Sequence, residues 1–587
     1  MAEPSRQDPT NAEVADALEE LADLYELDGA VIHRISAYRN AAKAVRGASV
    51  SVTALARAGR ATELAGVGAT IQEKIRALAD EGEIPARAKL TAKYPPGLVA
   101  MTRLPGLGPK RARRLFDELG IDGLPGLRTA AMEGQIQALK GFGAKAEAAI
   151  LEALDAYEAE GPRRRVLLDR ALAVGEELVT AIAAHPAADR VALAGSARRM
   201  TETVKDLDIV ATATDPAALT RAAAALELVA SASTPGENAV RLRTHSGLEV
   251  DLRIVEPDQF GNVLQHLTGS KEHNVNLREY AVRRGLHVSE YGILDDATGL
   301  THRCATEAEV YARLGLDYIE PELREGRGEV RLAAEHRLPE LVSVADLRGD
   351  LHAHTTASDG TASVAEMAAA AAAAGYEYLA ITDHSASMGF GADLSASALA
   401  EHITAIRGTE VDGIELLAGS EVNILPDGSL DYPDELLAEL DWVIASVHTS
   451  FALSEAAMTA RIVAAIEHPY VDCIGHLSGR RLDRRPGYAL DLEAVLAAAA
   501  ATGTLLEINA NPVRRDLSES WAAAAAAAGI LIVINTDAHR TDGFDVNRYG
   551  VATARRAGLG PAEIANSRPW RQLRRELPSQ RARRRVT

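Results

Sequence analysis

Between residues 346 and 567 the chain repeats one unit: an apolar strand ends in a polar residue, a helix follows, and a glycine often closes that helix. Ala374-Gly375 and Ala528-Gly529 are such stops, with glycine where a helix C-terminus turns left-handed. Seven strand candidates recur, at Asp350–His352, Tyr378–Thr382, Glu415–Ser420, Trp442–Val447, Val471–Gly475, Thr504–Ile508 and Leu531–Asn535. Strands that alternate with helices imply a parallel sheet, and seven such units favour a closed barrel. Aromatics are 4% of the chain, so its cores must rest on Ala, Leu, Val and Ile.

The residues that end these strands carry the chemistry. Asp350-Leu351-His352-Ala353-His354 places two imidazoles at the first strand end, and Asp359 follows in a Ser-Asp-Gly turn. His384 ends the second strand, Glu421 follows the third, His448 the fourth, His476 the fifth, and Asp537 with His539 the seventh. A lone histidine after a strand is ordinarily a satisfied polar group. Strand ends of a parallel barrel all face one rim, however, so these nine side chains must converge. Mixed imidazole and carboxylate ligands suit Zn²⁺, Mn²⁺ or Fe²⁺ better than Mg²⁺ alone, and a multinuclear metal site is expected.

Over roughly 346–567 these motifs resemble the PHP (polymerase and histidinol phosphatase) family, with all nine of its ligand positions present: His352, His354, Asp359, His384, Glu421, His448, His476, Asp537 and His539. The resemblance implies a (β/α)7 barrel, about three Zn²⁺, Mn²⁺ or Fe²⁺ ions, and phosphoester hydrolysis by metal-activated water. Asp383 and Arg540, beside ligand positions, are candidates for supporting the ligands or touching phosphate.

Residues 1–160 are helical in pattern. Gly66-Val67-Gly68, Gly106-Leu107-Gly108 and Gly141-Phe142-Gly143 each precede an amphipathic helix. Such a turn lets the backbone pass close to a phosphate and aims free helix N–H groups at it. Lys74, Lys110, Arg111, Arg113, Arg114 and Lys145 follow the turns, and residues 29–145 hold 19 Lys+Arg against 9 Asp+Glu. Glycines also make plain helix–helix corners, but three such turns in a basic region point to helix-hairpin-helix DNA binding. The contacts assigned here are Gly66, Gly68, Lys74, Gly106, Gly108 and Lys110.

Between these regions, Asp206 and Asp208 lie two apart in the run D-L-D-I-V-A-T-A, so both carboxylates project from one strand face. Asp251 sits in E-V-D-L-R, again at period two; if the two strands are neighbours, three carboxylates converge. Their mutual repulsion calls for divalent cations, two Mg²⁺ or Mn²⁺ in the two-metal arrangement of phosphoryl-transfer sites.

Gly195-Ser196-Ala197-Arg198-Arg199 ahead of this pair, and Leu267-Thr268-Gly269-Ser270-Lys271-Glu272-His273-Asn274 behind it, resemble the nucleotidyltransferase and thumb motifs of family X DNA polymerases. The likeness spans 1–325. It implies that Asp206, Asp208 and Asp251 are the catalytic metal ligands and that Ser196 and Arg199 hold the incoming triphosphate. Gly269 and Ser270 would turn beneath the nucleotide, while Asn274 and Arg278 would reach the nascent pair and the template. Arg253 would match an arginine that pairs with a catalytic aspartate. Lys74 would match the family's deoxyribose-phosphate lyase lysine, a role that stands beside plain phosphate contact. His266-Leu267 replaces an aromatic pair of animal members, so that pair's sugar discrimination does not carry over.

The resulting fold class is multidomain: an all-α helix-hairpin-helix N-terminal region, an α+β nucleotidyltransferase palm with thumb, and a C-terminal (β/α)7 PHP barrel. The boundaries read as 1–90 and 91–160 for two helical domains, 161–258 for the palm and 259–325 for the thumb. A charged linker would span 326–345, the barrel 346–570 and a basic tail 571–587. Taken whole, the net charge of -20 argues against a nucleic-acid binder. Resolved by segment it does not, because the basic surplus lies with the phosphate-binding turns.

Cys304 and Cys473 form no metal-type pair and suit reduced thiols. The apolar run Trp521–Ile534 is too short for a membrane helix, and Met1 leads into a polar stretch. A cytoplasmic, nucleoid-associated monomer is expected, acting on gapped or nicked DNA and deoxynucleoside triphosphates. By resemblance it is a DNA-directed polymerase of base excision repair whose barrel is a 3'-5' exonuclease, with 3'-phosphatase and abasic-site cutting as further activities. Two alternatives stay open: a histidinol-phosphatase-like barrel on a DNA tether, and a DNA-bridging repair scaffold.

Overall fold

The alternation in the rear half folds as seven parallel strands in sequence order in the computed structural model, which describes residues 8–48, 50–102, 104, 107–160, 165–387, 393–482, 484–580 and 582. Contacts divide the chain into two units. The first holds residues 1–166, 170–197 and 203–267, and the second 167–169, 198–202 and 268–587.

In the first unit, helices from Asn11–Leu27 to Ala144–Glu160 share one core, into which Val67, Leu107 and Phe142 of the three turns are buried. The apolar residue anchors each turn, and Gly68 and Gly108 remain exposed at the head of the next helix. The palm is a sheet of β1 (Ala188–Leu193), β2 (Asp206–Ala213), β3 (Val229–Ala232), β4 (Ala239–Thr244) and β5 (Glu249–Ile254). Its order is β1-β2-β5-β4-β3, with β2 and β5 parallel and the other pairs antiparallel.

The second unit contains the thumb, where the helix Lys271–Val282 packs with a small antiparallel sheet and the helix Glu307–Arg313. The stretch 326–345, expected as a linker, contributes a helix, Glu329–Ala334, whose Val330 and Ala333 enter the thumb core. Its charged appearance is misleading, because Glu329 is buried against His273 at 2.7 Å.

The barrel strands are β6 (Gly349–Ala353), β7 (Tyr378–Ile381), β8 (Glu415–Asn423), β9 (Trp442–Ser446), β10 (Cys473–Ile474), β11 (Leu505–Asn509) and β12 (Ile532–Asn535). Covered on both faces, they read as nearly continuous apolar runs. A bridge from Ala353 to Ala538 nearly closes the sheet, supported by His354 N–H donating to the Ala538 carbonyl at 2.8 Å. Glu421 lies inside β8 rather than after it, because that strand runs on to Asn423.

One cluster of side chains packs against the helices and another, with Leu351, Tyr378, Leu417, Trp442 and Leu505, forms a separate core. Trp570, Leu573 and Leu577 join this second core, so the start of the basic C-terminal stretch is packed structure. Among the described residues no helix is long and apolar enough to cross a membrane.

Candidate functional site

The barrel strands deliver their polar ends to one place. His352, in β6, and His354, just beyond it, are fully buried. The β6–β7 register breaks between Asp350 and Ala353. Leu351 therefore packs in one core and Ala353 in the other, although they lie two apart. Glu421 stands among five histidines. Its Oε1 is 2.9 Å from His476 and 3.1 Å from His448, and its Oε2 is 2.9 Å from His384, 3.4 Å from His352 and 3.7 Å from His354. Asp359 lies 3.2 Å from His539 and 3.5 Å from His384, and Asp537 lies 3.2 Å from His354.

Three groups bring their ligand atoms within 4.8 Å of one another: His354-Asp359-His384-His539, His352-His354-Asp537 and His384-Glu421-His448. Among the described residues, these three barrel groups are the ones that gather ligand atoms this closely. His352 Nε2, both ring nitrogens of His354, His384 Nδ1 and His448 Nδ1 are buried without a hydrogen-bond partner. An unsatisfied buried polar atom costs about 1–3 kcal/mol, and a cation that takes up the nitrogen lone pairs removes the penalty. The donor set fits a divalent metal cluster.

The electrostatics agree. Burial opposes charge on His384, but Glu421 and Asp359 outweigh it and push its pKa up to about 10. His539 is raised in the same way, against burial, by Asp359 and Asp537, to about 9. His354, wholly buried beside His384 and His539, falls to about 4. Burial would raise Glu421 and Asp537, yet the surrounding imidazoles hold both well below the carboxylate range. Cations and protons compete for such a set, so metal uptake releases protons.

Behind the ligands, sequence reasoning named Asp383 but missed Glu507. Glu507, in β11 and fully buried, accepts from His352 Nδ1 at 2.7 Å and from Asn535 Nδ2 at 3.0 Å through one oxygen. Its other oxygen accepts from the His476 N–H at 2.7 Å. A carboxylate only accepts, so His352 Nδ1 carries the proton and Nε2 faces the cluster as a lone pair. A carboxylate within the apolar run L-L-E-I-N was the available signal. Glu507→Gln presents an amide to groups that all donate. It should weaken metal binding and 3'-end degradation about 10–100-fold, as read by metal titration; unchanged affinity would leave Glu507 with packing alone.

Asp383 is buried and accepts from Thr355 N–H at 2.8 Å, Ser358 Oγ at 2.5 Å and His402 Nε2 at 2.8 Å, which fixes the loop leading to Asp359. Arg540 is exposed and pairs with Asp542 at 3.0 Å. Arg514, also missed, brings its Nε within 3.5 Å of Asp537.

In the palm, the parallel register places Asp208 beside Asp251 and Asp206 beside Glu249. All three aspartates are partly exposed on one sheet face. Gly195 approaches so closely that a Cβ there would lie 2.3 Å from Asp208 Oδ2, and its φ of +67° also requires glycine. Asp251 pairs at 2.9 Å with Arg241 of β4, its register partner. Arg241 was missed although it sits in an alternating strand of arginines.

Ser196 belongs to the first unit. Arg199, Gly269, Ser270, Asn274 and Arg278 belong to the second. Ser270 caps the helix Lys271–Val282 by accepting from His273 N–H at 3.2 Å. Gly66 has φ +87°, Gly68 and Gly108 precede the helices Ala69–Glu81 and Pro109–Leu119, and Lys74 and Lys110 lie on those helices. Gly106 lies outside the described residues.

Residues 9–84 match the family described as a helix-hairpin-helix domain, 263–325 the DNA polymerase beta thumb, and 350–511 the PHP domain. A DNA polymerase/3'-5' exonuclease PolX of Bacillus subtilis (strain 168) is 37% identical over 561 residues, 95% of this chain and 97% of that protein. Two proteins named probable phosphatases match shorter stretches of the chain. One, of Thermoanaerobacter sp. (strain X514), is 37% identical over 27% of this chain and 63% of its own length. The other, of Syntrophotalea carbinolica, is 30% identical over 37% of this chain and 90% of its own length.

Proposed function

Because this chain belongs to the PolX family of DNA polymerase/3'-5' exonucleases, we propose that it fills short gaps during base excision repair and trims blocked 3' ends. The observation that supports this reading is the presence, on one chain, of an aspartate trio across paired palm strands and three overlapping groups of eight His, Asp and Glu residues at the barrel rim. The partners are gapped or nicked DNA and deoxynucleoside triphosphates, and the working form is a cytoplasmic, nucleoid-associated monomer.

The helix N-termini behind Gly66-Gly68 and Gly106-Gly108, with Lys74 and Lys110, hold DNA phosphates. Ser196 and Arg199 grip the triphosphate, Arg199 by the fork geometry that suits phosphate oxygens. Gly269, Ser270 and Asn274 bed the nucleotide, and Arg278 reaches the template. Asp206, Asp208 and Asp251 hold two Mg²⁺ or Mn²⁺. The barrel residues hold about three Zn²⁺, Mn²⁺ or Fe²⁺ ions.

Divalent cations, when bound, supply charge stabilisation at phosphorus and a nucleophile at neutral pH. The chain's own residues do the rest. Glu507 fixes the tautomer of His352, Asp383 fixes the loop of Asp359, and Arg514 beside Asp537 orients the scissile phosphate.

Primer extension across a one-nucleotide gap tests the reading. Extension should require a 3'-hydroxyl and template-matched nucleotide; an enzyme that degrades but never extends would overturn it. The likeness to proteins named probable phosphatases favours a second reading, removal of 3'-phosphates. A 3'-phosphorylated gapped duplex should become extendable. If instead only a small phosphomonoester is hydrolysed, with no competition by DNA, the front half is a tether.

A further inference from the structure

Residues 198–202 lie between the Gly195-Ser196 turn and β2 in sequence, yet they belong to the unit that holds the thumb and the barrel. Three barrel arginines donate to this short stretch. Arg556, ending the helix Asn547–Arg556, donates from Nη1 to the Arg199 carbonyl at 2.7 Å. Arg515 donates from Nη1 to the Met200 carbonyl at 3.0 Å. Arg480 pairs with Glu202, Nη2 to Oε1 at 2.5 Å.

Each guanidinium is itself held. Arg515 is 1% exposed, and its Nε donates to Thr553 Oγ1 at 3.0 Å. Burial pushes its pKa down to about 10, partly offset by Glu202, so it stays charged at neutral pH. Arg556 is gripped by Glu519 at 3.0 Å and by Glu325 at 2.8 Å. Arg480 Nε donates to the Arg514 carbonyl at 3.0 Å, and its Nη2 also reaches the Arg515 carbonyl. Arginines bound this way hold their targets, and moving buried Arg515 or Arg556 would strand a charge.

The backbone they hold needs holding. Met200 has φ +57°, a left-handed conformation that a side-chain-bearing residue keeps only where its surroundings over-determine it. Arg515 on its carbonyl supplies that constraint. The consequence falls on Arg199. Its Nε pairs with Glu325 Oε1 at 2.9 Å and its Nη1 donates to the Thr268 carbonyl at 2.6 Å. Glu325 Oε1 is also the oxygen held by Arg556. Arg556 therefore touches both the backbone of Arg199 and the carboxylate that orients its side chain.

We infer that Arg480, Arg515 and Arg556 are positioning residues of nucleotide addition: the barrel sets the turn 199–202 and, through it, the guanidinium of Arg199 that grips the triphosphate. This rests on the role of Arg199 given under the proposed function. Arg515 and Arg556 donate neither to a barrel ligand nor to Arg514, so their effect belongs to synthesis, whereas Arg480 also holds the Arg514 carbonyl.

The test uses full-length protein on a one-nucleotide gap, with nucleotide KM and kcat measured beside 3'-5' degradation by the same preparations. Arg480→Ala and Arg556→Ala should each raise nucleotide KM about tenfold, the scale of one charged hydrogen bond, and Arg556→Ala should leave degradation unchanged. Arg480→Lys should recover most of the loss, since an ammonium still pairs with Glu202. If Arg556→Ala does not fold, Glu202→Gln breaks the Arg480 pair at its other partner and should raise KM likewise.

Arg199→Ala is the control. A raised KM there with unchanged KM in the barrel variants would overturn the inference alone. An unchanged KM in Arg199→Ala would remove the role of Arg199, and the inference with it. Parallel loss of degradation in Arg556→Ala would mark general damage and equally contradict the inference.

Discussion

Asp206→Ala should abolish gap-filling synthesis, by at least about 10²–10³-fold, while 3'-5' degradation by the same protein continues. Asp206 and Asp208 alternate on one face of β2, and the parallel neighbour β5 brings Asp251 opposite Asp208. Three carboxylates at that spacing repel one another, and divalent cations relieve the repulsion. The Arg241–Asp251 pair, 2.9 Å long and exposed, offsets part of it in the resting chain. On the proposed role, removing one aspartate removes a metal ligand, yet the strand keeps its backbone ladder. Asp206 is only partly buried, so the folding cost should stay within about 0.5 kcal/mol. Because the three act as a unit, Asp206→Ala/Asp208→Ala should be little worse than either change alone. Primer extension and thermal unfolding on one preparation check all of this.

Glu421→Ala should have the complementary effect. Among the described residues, Glu421 is the one carboxylate within 4 Å of five histidines: His352, His354, His384, His448 and His476. Its removal leaves a nest of imidazoles with no central anion, and both cation affinity and the charge balance are lost. Bound metal per chain should fall, and degradation should drop by about 10³-fold or more, beyond the 10–100-fold expected when only a supporting partner such as Glu507 is changed. Synthesis should persist, since no palm aspartate lies in the cluster. Glu421→Gln keeps the shape without the charge and separates the two causes. If metal content and degradation survive in Glu421→Gln, shape rather than charge holds the ions. Elemental analysis beside a degradation time course decides between them.

Much of this was legible in the residues because barrel topology turns a linear pattern into a place. Six of the seven apolar runs end in or lead into His, Asp or Glu, which can converge only at one rim, and they do so at distances of 2.9–3.8 Å. The aspartate trio was legible for a similar reason, as period two fixes the face and only the pairing of β2 with β5 had to be supplied.

What stayed hidden depends on contacts between distant residues or on misleading charge. Glu507 meets His352 across 155 positions, and Arg556 meets Arg199 across 357. No local spacing announces either. Trp570, Leu573 and Leu577 form an i, i+3, i+7 stripe, but the arginines between them made the segment read as a solvated tail. Glu329 disguised a core helix as a linker in the same way.

The central claim is that two separate clusters on one chain drive opposite changes in the same DNA 3' end. One gapped duplex, labelled at the primer's 5' end and incubated with nucleotides and Mn²⁺, tests it directly in the unaltered protein, Asp206→Ala and Glu421→Ala. The account predicts only shortened primers with Asp206→Ala, only lengthened primers with Glu421→Ala, and both with the unaltered chain. Loss of both products in either single variant, with the protein still folded, would contradict it.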